Sequence, residues 1–288
     1  LFFLAYEMLL VPSFFILYKF AKTRRAVEAS YLMFFWTQFG AVFLIFILFY
    51  IFFVSNSSSF YDIYIFNFNS FDSNISVLFF IIGFGVKFPI WPFYGWLPKA
   101  HVEASTNFSI FLSGVLVKFA FFAFLKCYHL VNLEFSNFIL LPILVIGILE
   151  SSFKLLYQID LKKIVAYSTV IEMHWLTLSL LTGYTPVFLA GFCMLVSHAF
   201  LSTNFFLIVD AISRRYKTRL VTEISSLGLL NPKLFLILLT NLLVFLGFPG
   251  SLFFVAEMLF FAFMMDLCPE VLVILLFFLY LLVPSFFF

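Results

Sequence analysis

The sequence predicts an all-α fold: a polytopic transmembrane helix bundle of about nine spans, two of them broken. Three observations carry that prediction. Of the 288 residues, 65% are hydrophobic and 10% charged, and the mean hydropathy is +1.16, values foreign to a water-soluble domain. Apolar runs of about 18 to 25 residues recur from end to end, each sufficient for a helix to cross ~30 Å of hydrocarbon. Backbone inside such runs must satisfy its own hydrogen bonds, which selects helices over open strands.

The first run, 1–18, is apolar apart from Glu7 and ends at the basic cluster Lys19, Lys22, Arg24 and Arg25. The second, 31–54, is uninterrupted. The Ser/Asn-rich stretch 55–74, without Lys or Arg, predicts a polar loop. The third run, 75–98, holds Lys87 and is broken by Pro89, Pro92 and Pro98, because proline removes an N–H and blocks the bond to residue i−4. The fourth, 109–126, holds Lys118. Runs five to seven, 137–153, 161–182 and 185–208, are continuous, with Glu172 and His198 inside the last two. The eighth, 232–265, is interrupted at Leu246-Gly247-Phe248-Pro249-Gly250, shortly before Glu257, and the ninth is 270–287.

Lys and Arg sort by side. The connections after runs one, three, five and seven carry thirteen: Lys19, Lys22, Arg24, Arg25, Lys99, Lys154, Lys162, Lys163, Arg214, Arg215, Lys217, Arg219 and Lys233. The other side carries Lys126 alone, and only Lys87 and Lys118 lie within runs. The positive-inside rule makes the first side cytoplasmic or matrix and puts the first residue on the opposite face.

Phe supplies 49 residues, which a strongly A+T-rich genome would produce at little energetic cost in a bilayer, so an organelle-encoded protein is expected. No signal or transit segment is visible at the start. The chain opens at Leu1 already inside an apolar run, which predicts a fragment or an unseen upstream part. Cys127, Cys193 and Cys268 are far apart, with no CxxC pair and no His at ligand spacing, so no metal or redox cofactor is expected. Gly83 and Gly85 begin something like GxGxxG, but the third glycine and the βαβ context are missing, and neither nucleotide nor nucleic acid is an expected partner.

What remains is a belt of ionisable residues inside the runs: Glu7, Lys87, Lys118, Glu172, His198 and Glu257. A charged side chain at mid-bilayer costs about 2.5–3.5 kcal/mol on insertion scales, so such groups face partners or water inside the bundle. A helix-locking ion pair explains any one of them. A row of acids and bases along one membrane plane can also hand a proton from site to site. The two broken spans, each close to a buried charge, resemble the discontinuous helices of transporters built from inverted repeats.

These residues resemble one family: the antiporter-like, proton-translocating subunits of respiratory complex I (NADH:ubiquinone oxidoreductase), which includes subunits of multisubunit sodium/proton antiporters. The resemblance rests on AYEMLLVP (5–12), VKFPIWPFYGWLPKAHVEAS (86–105), GVLVK (114–118), QIDLKKIVAYSTV (158–170), LVSHAF (195–200), YKTRL (216–220) and LGFPGSLFFVAE (246–257). YKTRL and Glu257 look most like the subunit 4 members. The resemblance implies that Glu7 pairs with Lys87, that Lys118 is the middle relay lysine, that His198 lies on the connecting path and that Glu257 is the terminal group. It also implies inverted repeats, here 1–131 (incomplete) and 132–288, no cofactor, neighbouring antiporter-like subunits of the membrane arm and lipids as partners, and a multi-pass place in the mitochondrial inner membrane. Relative to the family the chain looks N-terminally incomplete.

One departure stands out. Where the family motif reads YSSxxHM, this chain has Glu172, and nearby His174 is a poor substitute because two residues along a helix rotate the side chain by roughly 200°. Glu172 is expected either to relay protons or to form a static pair with Lys118 or a neighbouring subunit's lysine. Two other functions stay open at this point: a subunit of a cation/proton antiporter, and a non-pumping structural paralogue.

Overall fold

The computed structural model describes residues 1–21, 23–128, 130, 137–181, 185–224 and 226–267. The ninth predicted span, Lys22 and Cys268 lie outside them. All regular elements among the described residues are helical, with one isolated bridge, Asp160 to Leu220. The chain forms two compact units, Leu1–Ala104 with Leu116–Pro142, and Ser105–Val115 with Ile143–Phe288.

In the first unit the first predicted span is two helices, α1 (Phe2–Glu7) and α2 (Leu10–Lys19), separated at Met8–Leu9. That break was not expected. Its cause is Pro12, which offers no N–H to the Met8 carbonyl and crowds it sterically. Next comes α3 (Arg24–Ser55), 32 residues long, started by Thr23, whose side chain accepts from the Ala26 N–H, and extended at its polar end by the Arg24–Glu28 pair. The stretch 55–74 is only partly loop. It contains α4 (Phe60–Ile65) and the start of α5 (Ser70–Lys87), where Asp72 sits in the first turn and accepts from Tyr50 Oη at 2.6 Å.

Helix α5 lies against α3 at Gly40 and Gly83. A Cβ on Gly40 would stand 2.7 Å from the Gly83 carbonyl, and one on Gly83 2.5 Å from Leu44 Cγ. Gly83 thus serves close helix packing. Past the first break come a 3-10 turn (Phe93–Gly95), α6 (Trp96–Glu103) and, further on, α8 (Val117–Tyr128). The last packs on α5 through rings, with Phe84–Phe124 at 5.8 Å and Phe88–Phe121 at 5.5 Å. Thr23 Oγ1 donates to Glu103 Oε2 at 3.1 Å, so the connections after the first and third spans share a face, as the charge asymmetry requires.

The second unit opens with α7 (Thr106–Phe111), which runs through one π-type turn (Leu112–Leu116) toward α8. It continues with α9 (Asn137–Leu156), which begins within the first unit, α10 (Leu161–Leu181), α11 (Thr185–Tyr216), the short α12 (Leu227–Leu230), α13 (Pro232–Phe245) and α14 (Leu252–Leu267). Val165, Leu201, Phe205, Leu242, Phe245 and Phe253 form a buried apolar cluster joining α10, α11, α13 and α14. Leu161 N–H donates to the Arg219 carbonyl and Arg219 Nε to Asp160 Oδ2 at 2.7 Å, which sets the connections after the fifth and seventh spans side by side.

Among the described residues, Phe2–Lys19, Arg24–Ser55, Thr106–Tyr128 and Pro186–Tyr216 are each long and apolar enough to cross a membrane. Pro232–Phe245 and Leu252–Ala262 are shorter apolar helices. Large apolar side chains face outward, Phe53 at 76% and Phe200 at 70% exposure, which suits hydrocarbon as the surrounding medium and not water.

Candidate functional site

Lys87 is the last residue of α5, placed there by Pro89. Phe84 O keeps its regular helical donor, Phe88 N, and the carbonyls freed by the break find other donors: Gly85 O accepts from Ile90 N at 2.8 Å and Val86 O from Trp96 Nε1 at 2.7 Å. The helix end is therefore closed by specific bonds, and its negative dipole end carries the cation. Lys87 Nζ reaches Glu7 Oε1 at 2.7 Å, with side-chain exposures of 6% and 16%. A pair this deep is shielded from solvent screening. The expected Glu7–Lys87 contact is present.

Beside Lys87 lies a cavity of about 10 Å³, room for about one water molecule. Lys87, Ser13, Thr37, Tyr6 and Trp96 are among its lining, and the Ser13 and Thr37 hydroxyls donate to carbonyls of their own helices, leaving lone pairs to accept. Leu116, at the end of the π-type turn, and Ala120 of α8 line the same cavity, one turn or less from Lys118, which is itself buried.

In the second unit Glu172 of α10 and His198 of α11 are both buried, and Glu172 Oε2 lies against His198 Nδ1. The sequence put these two groups on one path without pairing them. A carboxylate and an imidazole in contact can share one proton and pass it either way. His174 turns elsewhere: its Nδ1 lies 2.7 Å from the Val170 carbonyl of its own helix.

Glu257 is on α14, directly after the second break. That break ends α13 with a Schellman motif: Phe248 N–H donates to Leu243 O at 3.0 Å, Gly247 N–H to Val244 O at 3.1 Å, and Gly247 adopts φ +69°. A Cβ on Gly247 would collide with Glu257 Oε2, so the carboxylate rests on the bare glycine. Glu257 also borders a cavity of about 10 Å³ together with Trp175 and Ser179 of α10 and Gly191 and Met194 of α11. Trp175 and Ser179 follow Glu172 on its helix face, and Met194 precedes His198 by one turn. Glu257 therefore stands beyond the Glu172–His198 pair, toward the end of α10.

Several polar contacts were not anticipated. Tyr6 also touches Lys87, with Nζ 3.7 Å from its ring centroid. Along the α7/α11 seam Thr106 Oγ1 donates to Asp210 Oδ1 at 2.7 Å and Ser113 Oγ to Ser202 Oγ at 3.2 Å. His101, fully buried on α6, belongs with these. Isolated hydroxyls and one ring among many aromatics carry no pattern a sequence can display.

NADH-ubiquinone oxidoreductase chain 4 of Paramecium tetraurelia is 37% identical over 256 residues, covering 89% of this chain and 54% of the relative. The protein of that name from Chondrus crispus is 31% identical over 263 residues, covering 90% and 53%. NADH-quinone oxidoreductase subunit M of Rickettsia conorii is 33% identical over 268 residues, with the same coverages of 90% and 53%. The chain spans about half the length of these curated relatives. In fold it matches a chain of respiratory complex I from Thermus thermophilus with bound NADH (TM-score 0.90, 20% identity, 99% of this chain and 62% of that one). It also matches a chain of the Mrp complex from Dietzia sp. DQ12-45-1b (TM-score 0.89, 19% identity, 99% and 32%). Residues 1–282 match the family described as NADH:quinone oxidoreductase/Mrp antiporter, TM, and the chain belongs to that family.

Proposed function

We propose that this chain acts as a proton-translocating membrane-arm subunit of NADH:ubiquinone oxidoreductase, of the subunit 4 kind, multi-pass in the mitochondrial inner membrane. Electron transfer from NADH to quinone takes place in other subunits, and neighbouring antiporter-like subunits and lipids surround this one. Glu7, Lys87 and Lys118 in the first unit, and Glu172, His198 and Glu257 in the second, carry the proton. The observation that bears most weight is the Glu7–Lys87 pair, buried and set on a broken helix. A carboxylate beside an ammonium favours the protonated amine, and its withdrawal favours release, so movement of Glu7 relative to Lys87 converts a conformational signal into a proton step. One charge crossing 100 mV takes about 2.3 kcal/mol, which is the scale on which such pairs act.

Relatives at 30% identity or more are named as NADH-ubiquinone or NADH-quinone oxidoreductase subunits, which supports this reading over the cation/proton antiporter one. The test is Glu7→Gln in the assembled complex. Proton uptake per electron from NADH falls while the complex still assembles. Wild-type pumping in an assembled Glu7→Gln complex would refute the assignment.

A further inference from the structure

Lys87 Nζ has three neighbours, and only one of them is the carboxylate. Glu7 Oε1 stands at 2.7 Å, the backbone carbonyl of Tyr6 at 3.3 Å, and the centroid of the Tyr6 ring at 3.7 Å. An ammonium has three N–H donors, and these acceptors take one each. We infer that Tyr6 is a positioning residue for the proton on Lys87: its carbonyl and ring face form a second, non-titrating half of the ammonium site, which holds Lys87 in place when Glu7 changes partner or charge. The inference rests on the proton-relay reading above.

Each part of this half-site has a structural origin. The carbonyl is available because Pro12 ends α1 at Glu7, and the last carbonyls of a helix lack intrahelical partners. The ring is fixed by Phe84 of α5, which meets it edge-on at 5.2 Å and 77°, so the helix that bears Lys87 also orients the ring beneath it. Tyr6 is 2% exposed. Its hydroxyl has no hydrogen-bond partner among the described residues, so the ring face and not the phenol makes the contact that matters. A desolvated cation over an aromatic face is held more strongly than an exposed one.

The consequence is a division of labour. Glu7 is the group that moves or titrates; Tyr6 is constant. Without Tyr6 the lysine would depend on Glu7 alone, and losing the carboxylate would leave the side chain free to leave its position as well as its proton.

The test compares Tyr6→Phe, Tyr6→Leu, Tyr6→Met, Tyr6→Trp and Glu7→Gln in the assembled complex, reading protons pumped per electron across pH. Tyr6→Phe, the conservative variant, retains the wild-type profile. Tyr6→Leu and Tyr6→Met, which keep apolar bulk without a π face, move the alkaline limb of pumping to lower pH by about one unit. Tyr6→Trp, whose face binds cations better, moves it upward. The other ionisable groups at least partly buried on the elements packed against α5 are Tyr50 on α3, Tyr94 on the 3-10 turn, and Lys118, Cys127 and Tyr128 on α8. They are common to all variants and act equally on every profile. If Glu7→Gln loses pumping while the Leu, Met and Trp variants keep the wild-type limb, Tyr6 is mere filling and the inference falls with the relay intact. If Glu7→Gln and all the Tyr6 variants pump normally, the relay reading itself falls.

Discussion

Replacing Gly247 with alanine acts on Glu257 from outside the belt. Two effects follow from one methyl group. Gly247 has φ +69°, a conformation that costs an L-residue about 1–2 kcal/mol. The new Cβ would also occupy the space of Glu257 Oε2, so the carboxylate must turn away from the break. Gly250 supplies the control. It has φ +96°, so alanine there is strained at least as much, yet its Cβ would have nothing within 4 Å. Gly250→Ala therefore carries the backbone strain without the displacement.

The expected outcome is a loss of about 1–2 kcal/mol in both variants, a fall of roughly 2–8 °C in the apparent melting temperature of this subunit. Proton uptake per electron falls only in Gly247→Ala, because only there does the proposed terminal group leave its place. Thermal unfolding of the purified complex and NADH-driven proton uptake in proteoliposomes measure the two effects separately. Equal pumping in the two variants would show that the position of Glu257 on the bare glycine is not part of its function.

Glu172→His retains much of the pumping, whereas Glu172→Leu and Glu172→Gln lose it, since glutamine keeps an acceptor beside His198 but cannot take up a proton; near-normal uptake in an assembled Leu or Gln variant would send the proton by another route. Trp96→Phe removes the donor that satisfies the Val86 carbonyl at the first break and costs about 1–3 kcal/mol, read as lower thermal stability of the subunit; an unchanged melting temperature would mean the break is satisfied otherwise.

What the sequence revealed and what it hid divide along a physical line. Proline, glycine and buried charge act locally, so both predicted breaks and the belt were legible: Pro89 ends α5 at Lys87, and Gly247 and Gly250 supply the positive φ the second break needs. The break at Met8–Leu9 was also written in the sequence, in Pro12 four residues on, but a single proline near the start of an apolar run was not enough to separate a kink from a continuous helix. Helix ends were misjudged where polar turns continue past the hydrocarbon. In α3 and α11, pairs such as Arg24–Glu28 and Arg214–Asp210 support turns that no hydropathy window includes.

The contacts that stayed hidden depend on the register between helices. Glu172 meets His198 across a close approach of α10 and α11, where a Cβ on Gly191 would collide with Ser179 Oγ. The position where the family motif carries a histidine holds a carboxylate here, and that carboxylate lies against His198 one helix away. Tyr6 shows the same dependence. Nothing distinguishes one ring in a chain that is 23% aromatic until the end of α1, fixed by Pro12, and the end of α5, fixed by Pro89, bring its face under Lys87. Two helix breaks in sequence-distant spans thus build one ammonium site, because each helix end places one side of the contact around Lys87 Nζ.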